Sequence, residues 1–239
     1  MQAMRLVVGG LLPYVAFLVF LGGMVHRIRT WRRLPSPAIT LFPAPLTPAD
    51  NRLNALQEAV LFRSLFRGDA LLWAIAWVFH VMLALIAIGH LRVVADVDGL
   101  FRGLGMSEAD IQSMSSSLGG AAGIIVLVAL VLLGLRHVMV SRVREITGPA
   151  DYIALALIAA IVLTGNRMRF GSEHFDLGLT REYVRSLLTL GDVTSSEALH
   201  NGPFVLHMLL ALLLIMFIPF SKLLHFGGIF FTHTIVRKR

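Results

Sequence analysis

Five apolar runs near the length of a bilayer crossing leave this chain few ways to fold. They occupy residues 7–25, 71–91, 119–135, 152–166 and 204–224, and the third and fourth are short enough to need extension at their ends. A hydrocarbon core of about 30 Å takes about 20 helical residues to cross. Inside it every backbone N–H and C=O must be paired within the segment, so a crossing of this length is an α-helix. The sequence therefore predicts an all-α integral membrane bundle of five transmembrane helices forming a single membrane domain over residues 1–239. Composition agrees, with 15% charged residues and a mean hydropathy of +0.78, where a soluble domain carries about 25% charged residues. The opening MQAMRLVVGGLLPYVAFLVFLGG has its positive charges after the apolar run and reads as a retained first helix, not a cleaved signal.

Basic residues set the orientation. With the N-terminus outside and the C-terminus cytoplasmic, the inner segments hold 14 Lys/Arg and 5 Asp/Glu, counting Arg136, Asp151 and Lys222 at helix ends. The outer segments hold 7 Lys/Arg and 9 Asp/Glu. The net charge of +7 is thus a topology signal and calls for no nucleic-acid partner. Between the first two spans lies a Pro-rich stretch, LPSPAITLFPAPLTPAD, followed by an amphipathic helix over about 49–66 with Leu53, Leu56 and Val60 on one face. That helix belongs at the inner membrane surface, as a connector or as a docking site for a partner. Outside, Ser107-Glu108-Ala109-Asp110 reads as a capping box leading into the third span. The outer loop 167–203 contains a second amphipathic helix, LTREYVRSLL, which covers helix ends or lies over a cofactor or quinone site.

The chain has no cysteine. Disulfides, thiolate-held iron–sulfur clusters and thioether-linked haem are therefore excluded, and any iron must be held by histidine or methionine. Against that background FHVMLALIAIGH, residues 79–90, is conspicuous, because it puts two imidazoles into hydrocarbon. The last span, HMLLALLLIMFIPFSKLLH, has two more, at His207 and His225. The two spans run antiparallel, which sets His80 level with His225 and His90 level with His207. At 1.5 Å per residue the axial separations are about 15 Å and about 27 Å, and tilted helices can reconcile them with two centres about 20 Å apart. Eighteen residues is five turns, so His207 and His225 share one face.

Two imidazoles from facing helices can bind iron above and below a planar macrocycle. Zinc would call for four ligands where each level offers two. Two b-type haems fit this pattern best, against a bland reading of four unrelated hydrogen-bonded histidines. Gly89 removes a side chain beside His90 where a macrocycle must approach. Arg63 and Arg67 inside, Arg92 outside and Lys222 near His225 are candidate propionate partners, or ordinary residues at helix ends. Trp73 and Trp77 read as belt or packing residues, and His26, His137, His174, His200 and His233 as interface residues.

The His-x9-His and His-x17-His pairs, the Gly89-His90 dipeptide and the phrase PFSKLLH resemble the cytochrome b (gamma) subunit family of respiratory nitrate reductases. IPFSKLLHFGGIFFT and the outer TGNRMRF and LLTL segments are similar to one branch, the membrane cytochrome of the dissimilatory sulfite-reductase-associated (Dsr) transmembrane electron-transfer complex. The resemblance implies an inner haem b on His80 and His225 and an outer haem b on His90 and His207. Gly89, Arg92 and Lys222 would stand at a haem edge or quinone site. It also implies an electron-transfer subunit of an oxidoreductase complex in a bacterial or archaeal cytoplasmic membrane. Such a subunit oxidises quinol or menaquinol near the outer haem and exchanges electrons with a cytoplasmic iron–sulfur subunit. Further membrane and periplasmic cytochrome subunits are compatible with that assignment. The family's lysine near the start of the third span has no counterpart in MSEADIQSMSSSLGG. Competing readings are a stand-alone reductase of the cytochrome b561 type and a haem-free membrane anchor or transporter. Almost no acidic residue lies within the spans, which argues against a cation-coupled transporter.

Overall fold

The computed structural model describes residues 5–33, 48–171 and 176–225, and among these it is helical with no strand. Among the described residues five helices are long and apolar enough to cross a membrane. The first, α1 (Leu12–Arg33), continues from a π-helical turn at Val7–Leu11. With inner and outer naming the two ends of the bundle as the basic residues lead one to expect, two inner helices, α2 (Pro48–Leu61) and α3 (Arg63–Gly68), lead to the second crossing, α4 (Ala70–Val94). A short outer helix α5 (Asp98–Gly103) precedes the third, α6 (Glu108–Met139), and an inner turn α7 (Ser141–Ile146) precedes the fourth, α8 (Pro149–Phe170). Outside, α9 (Leu177–Leu188) precedes the last, α10 (Gly202–Phe217). The Pro-rich stretch before Pro48 and the cap expected at Thr47 lie outside the described residues, as do His174 and His233.

Local chemistry explains where the crossings begin. Asp69 caps α4 by accepting from Leu72 N at 2.9 Å and also faces Arg136 at 3.3 Å. Ser107 and Asp110 form the reciprocal capping box that opens α6. Pro149 starts α8, with the Asp151 carboxylate accepting from Gly148 N at 2.9 Å. Asn201 caps α10 by accepting from Phe204 N at 2.9 Å. The first four crossing helices extend past their apolar runs, most of all α6, because capped and charged turns continue beyond the apolar residues.

Two expectations fail at specific residues. The inner amphipathic helix is not continuous to Phe66. It stops at Phe62, whose φ of 51° places it in the left-handed region. There the ring meets His80 edge-on at 5.1 Å between centroids. The last span is not one α-helix either. It ends at Phe217 and continues as two 3₁₀ turns, Ile218–Phe220 and Lys222–Leu224, separated by an extended Ser221. Pro219 has no N–H to give the helix, so His207 and His225 are not related by five regular turns.

Packing runs in a chain of neighbours: α4 on α6, α6 on α8, α8 on α10, and α10 on α1. Helices α4 and α10 are not closely packed on one another, and the gap between the second and last spans is bridged by paired histidine rings. The cluster around Phe79, Val126, Ala129, Leu130, Ile158 and Val162 joins α4, α6 and α8. A second cluster, around Tyr183, Leu199, Phe204 and Met168, closes the outer end. Outward-facing Phe17, Leu18, Val131 and Leu163 are exposed, as helices bathed in lipid require. Helix α1 meets the last span at Gly23, where an added Cβ would lie 2.6 Å from Pro219 Cβ. A proline ring cannot yield, so Gly23→Val should lose about 2 kcal/mol through overpacking. Gly22→Ala, at a position with nothing within 4 Å, should leave thermal unfolding in detergent unchanged. Equal midpoints for the two variants would refute the contact.

Candidate functional site: two imidazole pairs between the second and last spans

His80 and His225 approach with ring centroids 5.8 Å apart and planes at 88°, and His90 and His207 at 6.2 Å with planes at 11°. In all four rings Nδ1 faces a main-chain carbonyl. His80 meets Ala76 O at 2.7 Å, His90 meets Ile86 O at 2.7 Å, His225 meets Lys222 O at 3.1 Å and His207 meets Ile161 O at 3.1 Å. A carbonyl oxygen only accepts, so each Nδ1 is the protonated nitrogen and each Nε2 keeps its lone pair. This is how a metal-binding histidine is commonly oriented by its surroundings. His137 makes a similar bond to Leu133 O at 2.9 Å and stands against Tyr152, so the bond alone does not define a site. The pairing of rings does.

The spacing can be tested against haem. Two collinear metal–nitrogen bonds of about 2 Å, plus the depth of each ring, put the centroids about 6 Å apart. Both pairs meet that requirement. Among the described residues no group of three or more His, Cys, Asp or Glu gathers as a cage for a bare ion, and each pair offers two donors. The donor set therefore fits a group that brings its own in-plane ligands. Gly89 has nothing within 4 Å of its would-be Cβ, leaving open space next to His90.

The polar residues beside the pairs are held by protein partners that the sequence did not reveal. Arg92 Nε donates to Asp98 Oδ1 at 2.6 Å, and Arg181 Nη2 donates to Asp98 Oδ2 at 2.7 Å. Arg181 Nε also donates to Arg92 O at 2.6 Å. Asp98 is 3% exposed, so α9 is fastened to the end of α4 through a buried carboxylate. Tyr183 adds a bond to Gly9 O at 2.6 Å, and Tyr14 donates to Leu187 O at 2.7 Å. Burial, helped by nearby Tyr14, pushes the Tyr183 hydroxyl up to about 12, so it stays a donor. Helix α9 thus closes the outer helix ends. Inside, Lys222 Nζ donates to Asp151 Oδ2 at 2.6 Å and to Ile146 O at 3.1 Å, and Arg63 donates to Gln57 at 2.7 Å. Trp73 and Trp77 donate to Leu61 O and Val60 O at 2.7 and 3.1 Å, tying α2 to α4. Asp98 and Arg181 had a faint signal: a carboxylate and a cation near helix ends in separate outer segments, with nothing to say that they meet.

A five-crossing bundle with two imidazole pairs spanning its second and last crossings defines a membrane protein built around paired histidines. Residues 63–238 match the family described as nitrate reductase gamma subunit, and the chain belongs to that family. It is 31% identical to the Hdr-like menaquinol oxidoreductase cytochrome b-like subunit of Archaeoglobus fulgidus, across 95% of this chain and 78% of that one. The counterpart in Archaeoglobus profundus is 28% identical, across 93% and 76% of the two chains. The nitrate reductase gamma chain of Bacillus subtilis is 25% identical, across 90% and 88%.

The outer clasp makes a prediction with a definite sign. The hydrogen bond from Arg92, opposed by burial and reinforced by Arg181, holds the Asp98 carboxyl below the usual carboxylate range. A depressed native value contributes stability that is complete above the unfolded value of about 4 and disappears as pH falls through the lower native value. Hydrogen exchange in α9 should therefore stay protected at pH 5 and increase only in stronger acid. Asp98→Ala should expose α9 at neutral pH, with a loss of about 3 kcal/mol that comes mainly from the Arg92 guanidinium left buried and unpaired, since the Arg181 side chain is more exposed. Unchanged α9 protection in that variant would remove the clasp from the account.

Proposed function

We propose that this chain is the diheme cytochrome b subunit of a quinol-oxidising respiratory or sulfur-metabolism complex. It would lie in a bacterial or archaeal cytoplasmic membrane with its N-terminus outside. The observation that carries the proposal is the meeting of four histidines as two pairs about 6 Å across, each with Nδ1 committed to a carbonyl and Nε2 left to coordinate. His80 and His225 would hold the inner haem b, and His90 and His207 the outer one. Haem, when bound, supplies one-electron transfer across the bilayer. Membership in the nitrate reductase gamma subunit family and the names of the curated relatives support a role in quinol or menaquinol oxidation.

The residues perform the supporting work. The imidazoles would hold two centres at different depths, beside the apolar packing around Phe79, Val126 and Ile158. Gly89 leaves room at the outer pair, where a quinol headgroup would lose two electrons and two protons. The protons would leave on the outer side, where the Arg92–Asp98–Arg181 clasp caps the helix ends, while the electrons cross inward. Arg92 and Lys222 stand at the outer and inner edges of the pairs. With no cysteine in the chain, electrons arriving at the inner face need a separate carrier, and a cytoplasmic iron–sulfur subunit is the fitting partner. The exposed Leu53, Leu56 and Val60 lie on that side.

The reading is tested by a reduced-minus-oxidised absorbance spectrum and a haem count on the purified full chain. Two b-type haems are expected. His90→Ala or His207→Ala should leave one, and should abolish quinol-driven reduction of the remaining haem. Retention of both haems in either variant would break the pairing, and their absence from wild-type protein made with ample haem would remove the proposal.

A further inference from the structure

One of the four histidines is oriented differently from the rest. His80 and His90 each donate to the carbonyl four residues earlier in their own helix, and His225 to the carbonyl three residues earlier. His207 instead reaches across to α8. Its Nδ1 lies 3.1 Å from Ile161 O and 3.0 Å from the Thr164 hydroxyl oxygen. The hydroxyl is itself within 3.0 Å of Ala160 O and 2.9 Å of Ile161 O. Those carbonyls can only accept, so the hydroxyl proton is given to one of them and an oxygen lone pair is left facing His207. Nδ1–H is therefore shared between a carbonyl and a hydroxyl, both on the neighbouring helix. Gly165 lies against the ring, where a Cβ would stand 3.4 Å from Cε1, in ordinary van der Waals contact.

We infer that Thr164 is a positioning residue for the outer centre, setting the plane and donor strength of His207 from the neighbouring helix. The inference rests on the diheme reading and goes beyond it, since among the described residues only the outer pair has a ring held by a side chain of a third helix. The near-parallel planes of His90 and His207, 11° apart, are then held from two separate helices, His90 by α4 and His207 by α8. A hydrogen bond accepted from Nδ1–H makes the imidazole a stronger donor to its metal and favours the oxidised state. Taking the hydroxyl away leaves only the longer bond to Ile161 O.

Thr164→Val keeps the shape and loses the hydroxyl, and Thr164→Ser keeps the hydroxyl and loses the methyl. Both should be compared with wild type in full-length protein by potentiometric titration and by electron paramagnetic resonance of the ferric state. The g-anisotropy of low-spin ferric haem reports the angle between the two imidazole planes. Thr164→Val should raise the midpoint potential of the outer haem and change its g values while leaving the inner haem at its wild-type values. Thr164→Ser should restore both. Loss of the outer haem alone in Thr164→Val, with both retained in Thr164→Ser, carries the same conclusion. If wild type holds two haems and Thr164→Val shifts neither, the inference falls and the diheme reading stands. If Thr164→Ser behaves like Thr164→Val, the methyl group is what matters and the inference also falls. A wild-type chain without haem would take the diheme reading and this inference down together.

Discussion

An imidazole placed in hydrocarbon must give its N–H to something, and in this bundle it gives it to main-chain carbonyls. That bond decides the tautomer, and with it the direction in which the remaining lone pair can act. For three of the histidines the acceptor lies in the same segment, so ring and helix orientation are set together. The rings then pair between α4 and the last span, which are not closely packed on one another. The rest of the bundle answers to that gap. The succession α4, α6, α8, α10 carries the apolar packing around it, and the histidine pairs cross it at two levels.

The two ends of the molecule are closed by different means. At the outer end a carboxylate with only 3% exposure holds two guanidinium groups from separate segments. A buried charge of this kind persists only because its partners satisfy it, and the result is a short helix fixed over the outer helix ends. At the inner end the fastening is made by indole N–H groups reaching carbonyls of the amphipathic helix, by the left-handed turn at Phe62, and by Lys222 on Asp151. The inner contacts are more exposed, as suits a face where a proposed soluble partner would dock.

Much of the architecture was legible in the sequence because a bilayer leaves a chain so few options. Runs near 20 residues become helices when no water is present to pair the backbone, and the capping box at Ser107–Asp110 could be named from four letters. The limits of that reasoning are equally specific. Pro219 interrupts the last span between two of its histidines, so the regular five-turn spacing of His207 and His225 does not hold. Phe62 breaks a helix whose amphipathic pattern runs through it without interruption, and β-turn chemistry gives no warning because the residue is neither Gly nor Asn. The partners of Arg92 and Lys222, separated from them by 6 and 71 positions, could not be found from helix-end chemistry alone.

By itself the sequence determined the number of crossings and their helical character and singled out four histidines as candidate ligands, since these follow from hydropathy, backbone pairing and residue type. Tertiary structure alone decided which nitrogen of each ring is free, how the ring planes are turned, and that His207 takes its orientation from Ile161 and Thr164 on another helix. The reason is physical. Hydropathy is a property of a segment and can be read along the chain. A hydrogen bond between side chains 43 positions apart exists only once two packed helices bring their atoms within 3.0 Å of each other.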